Sequence, residues 1–153
     1  MGLVDDIVPG PVALDTAIFI YFIEEHARFL HLVKPVFVAM DRGTLQGVTS
    51  GLTLLEVLVV PYRAGNLLLA ERYESFLTRS RGLRFIEVDR ALLKAAAQIR
   101  ARANLRTPDA IQIAAGLAAG CPTFLTNDRK IPPLPGLKVL ELKNYLPGGK
   151  AVG

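Results

Sequence analysis

Four carboxylates stand where they could do chemistry together: Asp15 after the apolar run at 12–14, Glu56 within the apolar stretch 54–60, Asp109 after Thr107-Pro108, and Asp128 after Thr126-Asn127. In open α/β sheets, ligands gather outside the carboxyl ends of the strands, where loops lead into helices. Each of these acids lies beside such a junction, so their loops can share one edge of a sheet. Carboxylates crowded there repel one another and raise one another's pKa unless a cation compensates them. With two histidines and one cysteine in the whole chain, the donors available are oxygens, which suits Mg2+ or Mn2+ better than zinc or copper. Such an ion activates water and neutralises charge on a phosphoryl group in transit. The expected chemistry is phosphodiester hydrolysis.

Each acid also has a plainer explanation. Asp15 and Asp128 could cap turns, and Asp109 could complement the dipole of the helix it opens. Glu56 resists dismissal most, because Leu54, Leu55, Val57, Leu58, Val59 and Val60 surround it and a charge is seldom buried without a partner. Asp5, Asp6, Glu24, Glu25, Asp41, Glu71, Glu74 and Glu141 fall on polar faces or in ends, where solvation accounts for them. His26 and His31 read as surface or packing residues.

The elements that would position the four acids alternate in type. Residues 12–15 form a short strand ending in Asp15, and 17–24 continue as a helix. Residues 27–42 have helical spacing and end at Gly43, with Pro35 expected to kink or divide them. A brief strand at 47–49 leads to a helix capped by Ser50 or Thr53, which holds Glu56 and which Pro61 is expected to end. Residues 66–79 read as an amphipathic helix, 84–88 as a strand, and Asp89 caps a helix whose Leu92, Ala96, Ile99 and Ala103 make one apolar stripe. Thr107-Pro108-Asp109 predicts a helix start with Thr107 at the N-cap and Pro108 at the first helical position, running to about residue 119. Residues 123–126 and 137–141 supply further strands. Strands alternating with helices imply an α/β fold with a mostly parallel sheet covered on both faces.

At 153 residues, half of them hydrophobic, the chain can bury one sizeable core. It reads as a single domain over 1–153, with a core at about 11–146 and loose ends outside it. No apolar run reaches the roughly 18 to 20 residues of a membrane span, and neither a basic leader nor a signal core opens the sequence; a soluble, cytoplasmic protein is expected. The single Cys121 excludes an internal disulfide and a cysteine zinc cage, and reads as a small buried residue. The net charge of +4 favours polyanionic partners, and arginine, the commoner of the two cations here, suits phosphate oxygens.

Taken together, Leu14-Asp15-Thr16, Leu55-Glu56-Val57, Pro108-Asp109-Ala110 with Ala118-Ala119-Gly120 at the helix end, and Thr126-Asn127-Asp128 resemble, in order and spacing, a PIN domain. In particular, they resemble those of the VapC-type toxin ribonucleases. The resemblance spans nearly the whole chain and implies a three-layer α/β/α fold with a mostly parallel central sheet of four to five strands. It implies that Asp15, Glu56, Asp109 and Asp128 form the catalytic quartet of an endoribonuclease around one or two Mg2+ or Mn2+ ions. Asp15 and Asp109 would be direct ligands and Asp128 would complete the site, while Glu56 either binds through water or serves as base. Thr126 and Asn127 would be polar support beside the last acid, at the edge where substrate binds. RNA would be cut by a metal-activated water, the leaving 3′ oxygen stabilised by metal charge and the product left with a 5′ phosphate. Arg106 and Arg129, with Arg100, Arg102 and Lys130 near them, flank the proposed site and could grip the RNA backbone, or be solvated helix ends. Relatives of this type form homodimers and are silenced by a small antitoxin whose C-terminal segment fills the acidic groove. Ala17 departs from the pattern, since Asn or Ser usually follows the first Asp-Thr, so one polar contact behind the ligands is missing. Two rivals stand beside this reading: a catalytically silent PIN-like module that binds RNA or protein, and a receiver-like phosphoacceptor domain. The latter would want paired acids after its first strand.

Overall fold

The computed structural model describes residues 2–128 and 130–148. Helix α1 (Leu3–Ile7) precedes β1 (Val12–Leu14), then α2 (Thr16–Ile23), α3 (Leu30–Asp41), β2 (Gly47–Ser50), α4 (Gly51–Arg63) and α5 (Leu67–Arg79). After these come β3 (Leu83–Ile86), α6 (Arg90–Arg102), α7 (Thr107–Ala118), β4 (Thr123–Thr126), β5 (Lys138–Glu141) and a 3-10 turn at Leu142–Tyr145. The five strands pair in the order β3-β2-β1-β4-β5, and every pairing is parallel. This is the three-layer α/β/α arrangement expected from the sequence.

Strand alternation divides the core between the two faces. Val12, Leu14 and Leu125 point into a cluster with α1, α2, α3 and α5, including Phe19, Val33, Phe37 and Tyr73. Ala13, Val48 and Phe124 point the other way, against α6 and α7 through Leu92, Ala96, Ala110, Ile113 and Ala114. The central strand β1 is buried at all three of its residues, as a strand covered on both faces must be. Small residues let α7 lie close to it. A Cβ on Gly116 would come within 2.7 Å of the Ala13 Cβ, so the helix that opens near Asp109 is set directly on β1.

Several boundaries differ from expectation for identifiable reasons. The segment before residue 11 is not a loose end among the described residues: Leu3 and Ile7 are buried in the core, and Asp6 accepts a hydrogen bond from Tyr145 Oη. Neither proline breaks its helix. Pro35 lies within α3, and Pro61 is buried within α4, which runs on to Arg63; packing outweighs the one backbone bond each removes. Ser50, not Thr53, caps α4, accepting from Leu52 N at 3.2 Å. At α7 the N-cap is Arg106 and not Thr107, because the first intrahelical bond runs from Ala110 N to Arg106 O. That one-residue shift turns out to matter for the site. No helix among the described residues is long and apolar enough to cross a membrane.

Candidate active site

The chain leaves β1 toward β2 on one side and later returns through β4 on the other. The carboxyl ends of β1 and β4 therefore flank the point where the winding reverses, which is where a crevice opens in such sheets. A groove of about 350 Å3 lies there, and Asp15, Glu56, Asp109 and Asp128 all line it, with Thr16, Tyr21, Arg106, Gln112 and Asn127 among their neighbours. Asp15 caps α2, accepting from Thr16 N at 2.8 Å, and its other oxygen accepts from Thr126 Oγ1 at 2.7 Å. The same Thr126 hydroxyl accepts from Asp128 N at 3.0 Å, so one buried hydroxyl ties the ends of β1 and β4 together. Burial pushes the Asp15 carboxyl above the ordinary carboxylate range; its two hydrogen bonds offset part of this, while the charges of Asp109 and Glu56 push the same way.

Glu56 reaches the groove by a route the sequence did not suggest. Its apolar neighbours in the chain implied burial, yet Glu56 is exposed, as are Leu55 at 62% and Val60 at 67%. Only Thr53, Val57 and Pro61 of α4 are buried, a stripe at helical spacing that leaves Glu56 beside it. Thr16 Oγ1 donates to Glu56 Oε1 at 2.6 Å. Behind Thr16 lies a group of neutral polar side chains: Gln112 Nε2 donates to Thr53 Oγ1 at 2.7 Å and Thr16 Oγ1 at 3.2 Å, and Ser50 Oγ donates to Gln112 Oε1 at 2.7 Å. Thr49 and Thr53 share a hydroxyl contact of 2.8 Å. Sequence reasoning missed Gln112, Thr53 and Thr16 as site residues. A signal existed, since Gln112 sits three residues after Asp109, on the same helical face, in an otherwise apolar helix.

The other two acids share a cation supplied by the chain. Arg106 Nε donates to Asp109 Oδ2 at 3.0 Å, and its Nη2 reaches Asp128 Oδ2 at 2.7 Å and Asp109 Oδ1 at 3.4 Å. The hydrogen bond to Asp109, then the charges of Asp109 and Asp128, hold the guanidinium proton more tightly than usual. Thus the acids meet in one groove but are not closed into a cage: among the described residues, no three His, Cys, Asp or Glu side chains stand ready as a ligand set. Asp109 and Asp128 meet through the Arg106 guanidinium instead. The donors remain all oxygen, and Asp15 is destabilised in its charged form by burial first and then by the charges of Asp109 and Glu56, a combination that fits a hard divalent cation.

The remaining basic residues divide. Arg100 is used structurally, donating from Nε to Leu105 O at 2.9 Å and from Nη1 to Thr107 Oγ1 at 3.0 Å. Lys130 is exposed and its backbone N–H donates to Asp128 Oδ1 at 2.9 Å; Arg129 lies outside the described residues. Asn127 holds the groove wall, donating from Nδ2 to Tyr21 Oη at 3.2 Å and accepting from Lys143 N at 3.1 Å. His26 is a packing residue, as expected: its Nδ1 accepts from Arg28 N at 3.1 Å and its ring lies 4.8 Å from that of Tyr21. Cys121 is buried, and burial pushes its thiol up to about 11.

With this geometry in hand, the family profile described as PIN domain matches residues 12–136, a span containing all four acids. The chain belongs to the PIN domain family. Solved structures share the PIN fold at low identity. A VapBC2 complex from Rickettsia felis, bound to a DNA fragment from its promoter, has 16% identity and a TM-score of 0.64, covering 85% of this chain and 97% of that one. A toxin–antitoxin complex from Klebsiella pneumoniae has 20% identity and a TM-score of 0.62 over 83% and 94%. VapC20 of Mycobacterium tuberculosis, a toxin cleaving the sarcin-ricin loop, has 16% identity and a TM-score of 0.60 over 74% and 86%. The chain matches no curated protein. PIN membership displaces the receiver-like alternative.

Proposed function

We propose that this PIN domain is a divalent-metal-dependent endoribonuclease, the toxin of a VapBC-type pair. The observation that carries the proposal is the meeting of Asp15, Glu56, Asp109 and Asp128 in one groove at the reversal of the sheet. Family membership and the toxin complexes among the similar folds support it. Mg2+ or Mn2+ held by Asp15, Asp109 and Asp128 would supply Lewis acidity and charge neutralisation at the scissile phosphate.

The chain's own groups do the rest. Asp15 is fixed at both oxygens by Thr16 N and Thr126 Oγ1, so its orientation is set before any ligand arrives, as productive geometry requires. Glu56, on the facing wall and held at Oε1 by the Thr16 hydroxyl, would use its other oxygen to take a proton from the attacking water. Arg106 at the rim offers a planar fork that matches phosphate oxygens. Thr126 and Asn127 brace the wall beside Asp128. Partners follow the same reading: RNA, a second copy of the chain, and a small antitoxin filling the acidic groove, in the cytoplasm.

One specific observation favours a second reading. Arg106 already compensates Asp109 and Asp128, as it would in a silent PIN module that binds without cutting. A cleavage assay on mixed RNA with and without Mn2+ separates the two. Metal-dependent cleavage that disappears in Asp15→Asn and Asp109→Asn supports the nuclease; intact RNA at every metal concentration with the wild-type protein leaves the silent module.

A further inference from the structure

Asp109 and Asp128 are bridged, not merely flanked, by a positive charge. Arg106 does not stop at one carboxylate: Nε and Nη2 reach the two oxygens of Asp109 at 3.0 and 3.4 Å, and the same Nη2 binds Asp128 at 2.7 Å. It thus joins two carboxylates from α7 and from the loop after β4, as a divalent ion held between them would. The acids are the enclosed partners and the arginine is the open one, with side-chain exposures of 8% for Asp109, 23% for Asp128 and 61% for Arg106. As the N-cap residue of α7, with no side-chain capping bond of its own, Arg106 is anchored at its backbone three residues from Asp109 and free to swing at its head. Its neighbour Arg100 is not free in this way, since the backbone of Leu105 and the Thr107 hydroxyl hold it.

From this arrangement, and resting on the metal-dependent nuclease reading above, we propose that Arg106 is a tethered counter-cation that Asp109 and Asp128 exchange for a divalent ion, and that the released guanidinium then binds the phosphate of the RNA. The exchange is weakly opposed because the ion pairs face water. A competitor already in place lowers the apparent affinity for the incoming ion by the fraction of molecules in which the acids are occupied. The freed head remains at the groove it has just left, where its fork suits a phosphate in pairs of hydrogen bonds. One side chain would then keep the metal-free acids from repelling one another and afterwards position the substrate.

The two roles predict opposite movements in one variant. In Arg106→Gln, Mn2+ titrated by calorimetry into the metal-free protein should bind about tenfold more tightly. With Ca2+ replacing Mn2+, a fluorescein-labelled single-stranded RNA followed by anisotropy should bind about tenfold more weakly. Arg106→Lys, which keeps the charge but not the bridging fork, should fall between on both measures. Arg42→Gln, a charge-matched control at the exposed C-cap of α3, should leave Mn2+ affinity within about twofold. Mn2+ affinity unchanged or weakened in Arg106→Gln, with a native circular dichroism spectrum, overturns the exchange; tighter Mn2+ with unaltered RNA affinity overturns the second role. A wild-type protein that binds Mn2+ and cuts RNA while Arg106→Gln binds Mn2+ identically removes this inference and leaves the nuclease standing. Absence of Mn2+ binding in every protein removes both.

Discussion

The two walls of the groove hold their acids by different physics. On the α4 side, Glu56 is reached through neutral groups: Thr16, backed by Gln112, Thr53 and Ser50, all within hydrogen-bonding distance and mostly buried. On the β4 side, Asp109 and Asp128 share one exposed guanidinium, and Asp128 also accepts from Lys130 N. A buried neutral network is costly to disturb, because any member removed leaves others unpaired in a low-dielectric setting. An exposed ion pair contributes little to stability and exchanges readily with water, salt or another cation. One wall is built to stay and the other to change hands. Asp15 lies between them, fixed at both oxygens like the first wall and charge-stressed like the second.

The comparison breaks most severely if the acids do not act together. Asp15→Asn or Asp109→Asn should lower the RNA cleavage rate by about 100-fold or more, since each removes charge stabilisation aimed at the reacting phosphate; a loss of less than about threefold, measured under single-turnover conditions, would detach that acid from the chemistry. Next comes the hydroxyl that joins the network to Glu56. Thr16→Val should reduce cleavage by about 10- to 100-fold while leaving most of the stability intact, and an unchanged rate would mean that Glu56 needs no support from this wall.

Stability should separate the walls directly. Gln112→Leu leaves Ser50, Thr53 and Thr16 short of a partner, and should cost about 1–3 kcal/mol in urea unfolding. Asp128→Asn, which breaks one exposed pair, should cost less than about 1 kcal/mol in the same measurement. Equal losses would erase the distinction between them.

The subtlest test concerns pH. Because burial holds the folded Asp15 carboxyl above its ordinary value, the folded chain keeps a proton that the unfolded chain has already released as pH rises. Stability of the metal-free protein therefore falls through the window between the ordinary and the raised value, and the penalty is complete above it. Asp15→Asn removes that penalty. Thermal unfolding in EDTA should show the variant above the wild type near neutral pH, with the gap closing below the ordinary carboxylate range. A gap that widens in acid would reverse the assignment.

Much of the frame was legible because its signals are local. Alternating strands and helices, the caps Ser50 and Asp89, which accept from Leu52 and Leu92 N, and the strand at Thr123–Thr126 follow from short-range chemistry. The placement of Asp15 and Asp128 beside strand ends follows from topology. Glu56 was placed in the groove for a partly mistaken reason: apolar neighbours in sequence are not neighbours on a helix face, and the buried stripe of α4 passes beside it. The start of α7 was misjudged by one residue because Thr107 is the better capping type, whereas the backbone makes Arg106 the N-cap.

What the sequence determined by itself was the set of acids, the order of elements between them and the family pattern they share, since composition, periodicity and capping act over a few residues. Tertiary structure alone decided that Gln112 would reach Thr16 across 96 residues of chain, that Glu56 would face solvent, and that Arg106 would bridge two acids 19 residues apart, as the hydrogen-bond separations of 3 and 22 residues show. These depend on how each helix is rotated about its axis against the sheet. Close packing of both faces fixes that rotation, and no short window of sequence contains it.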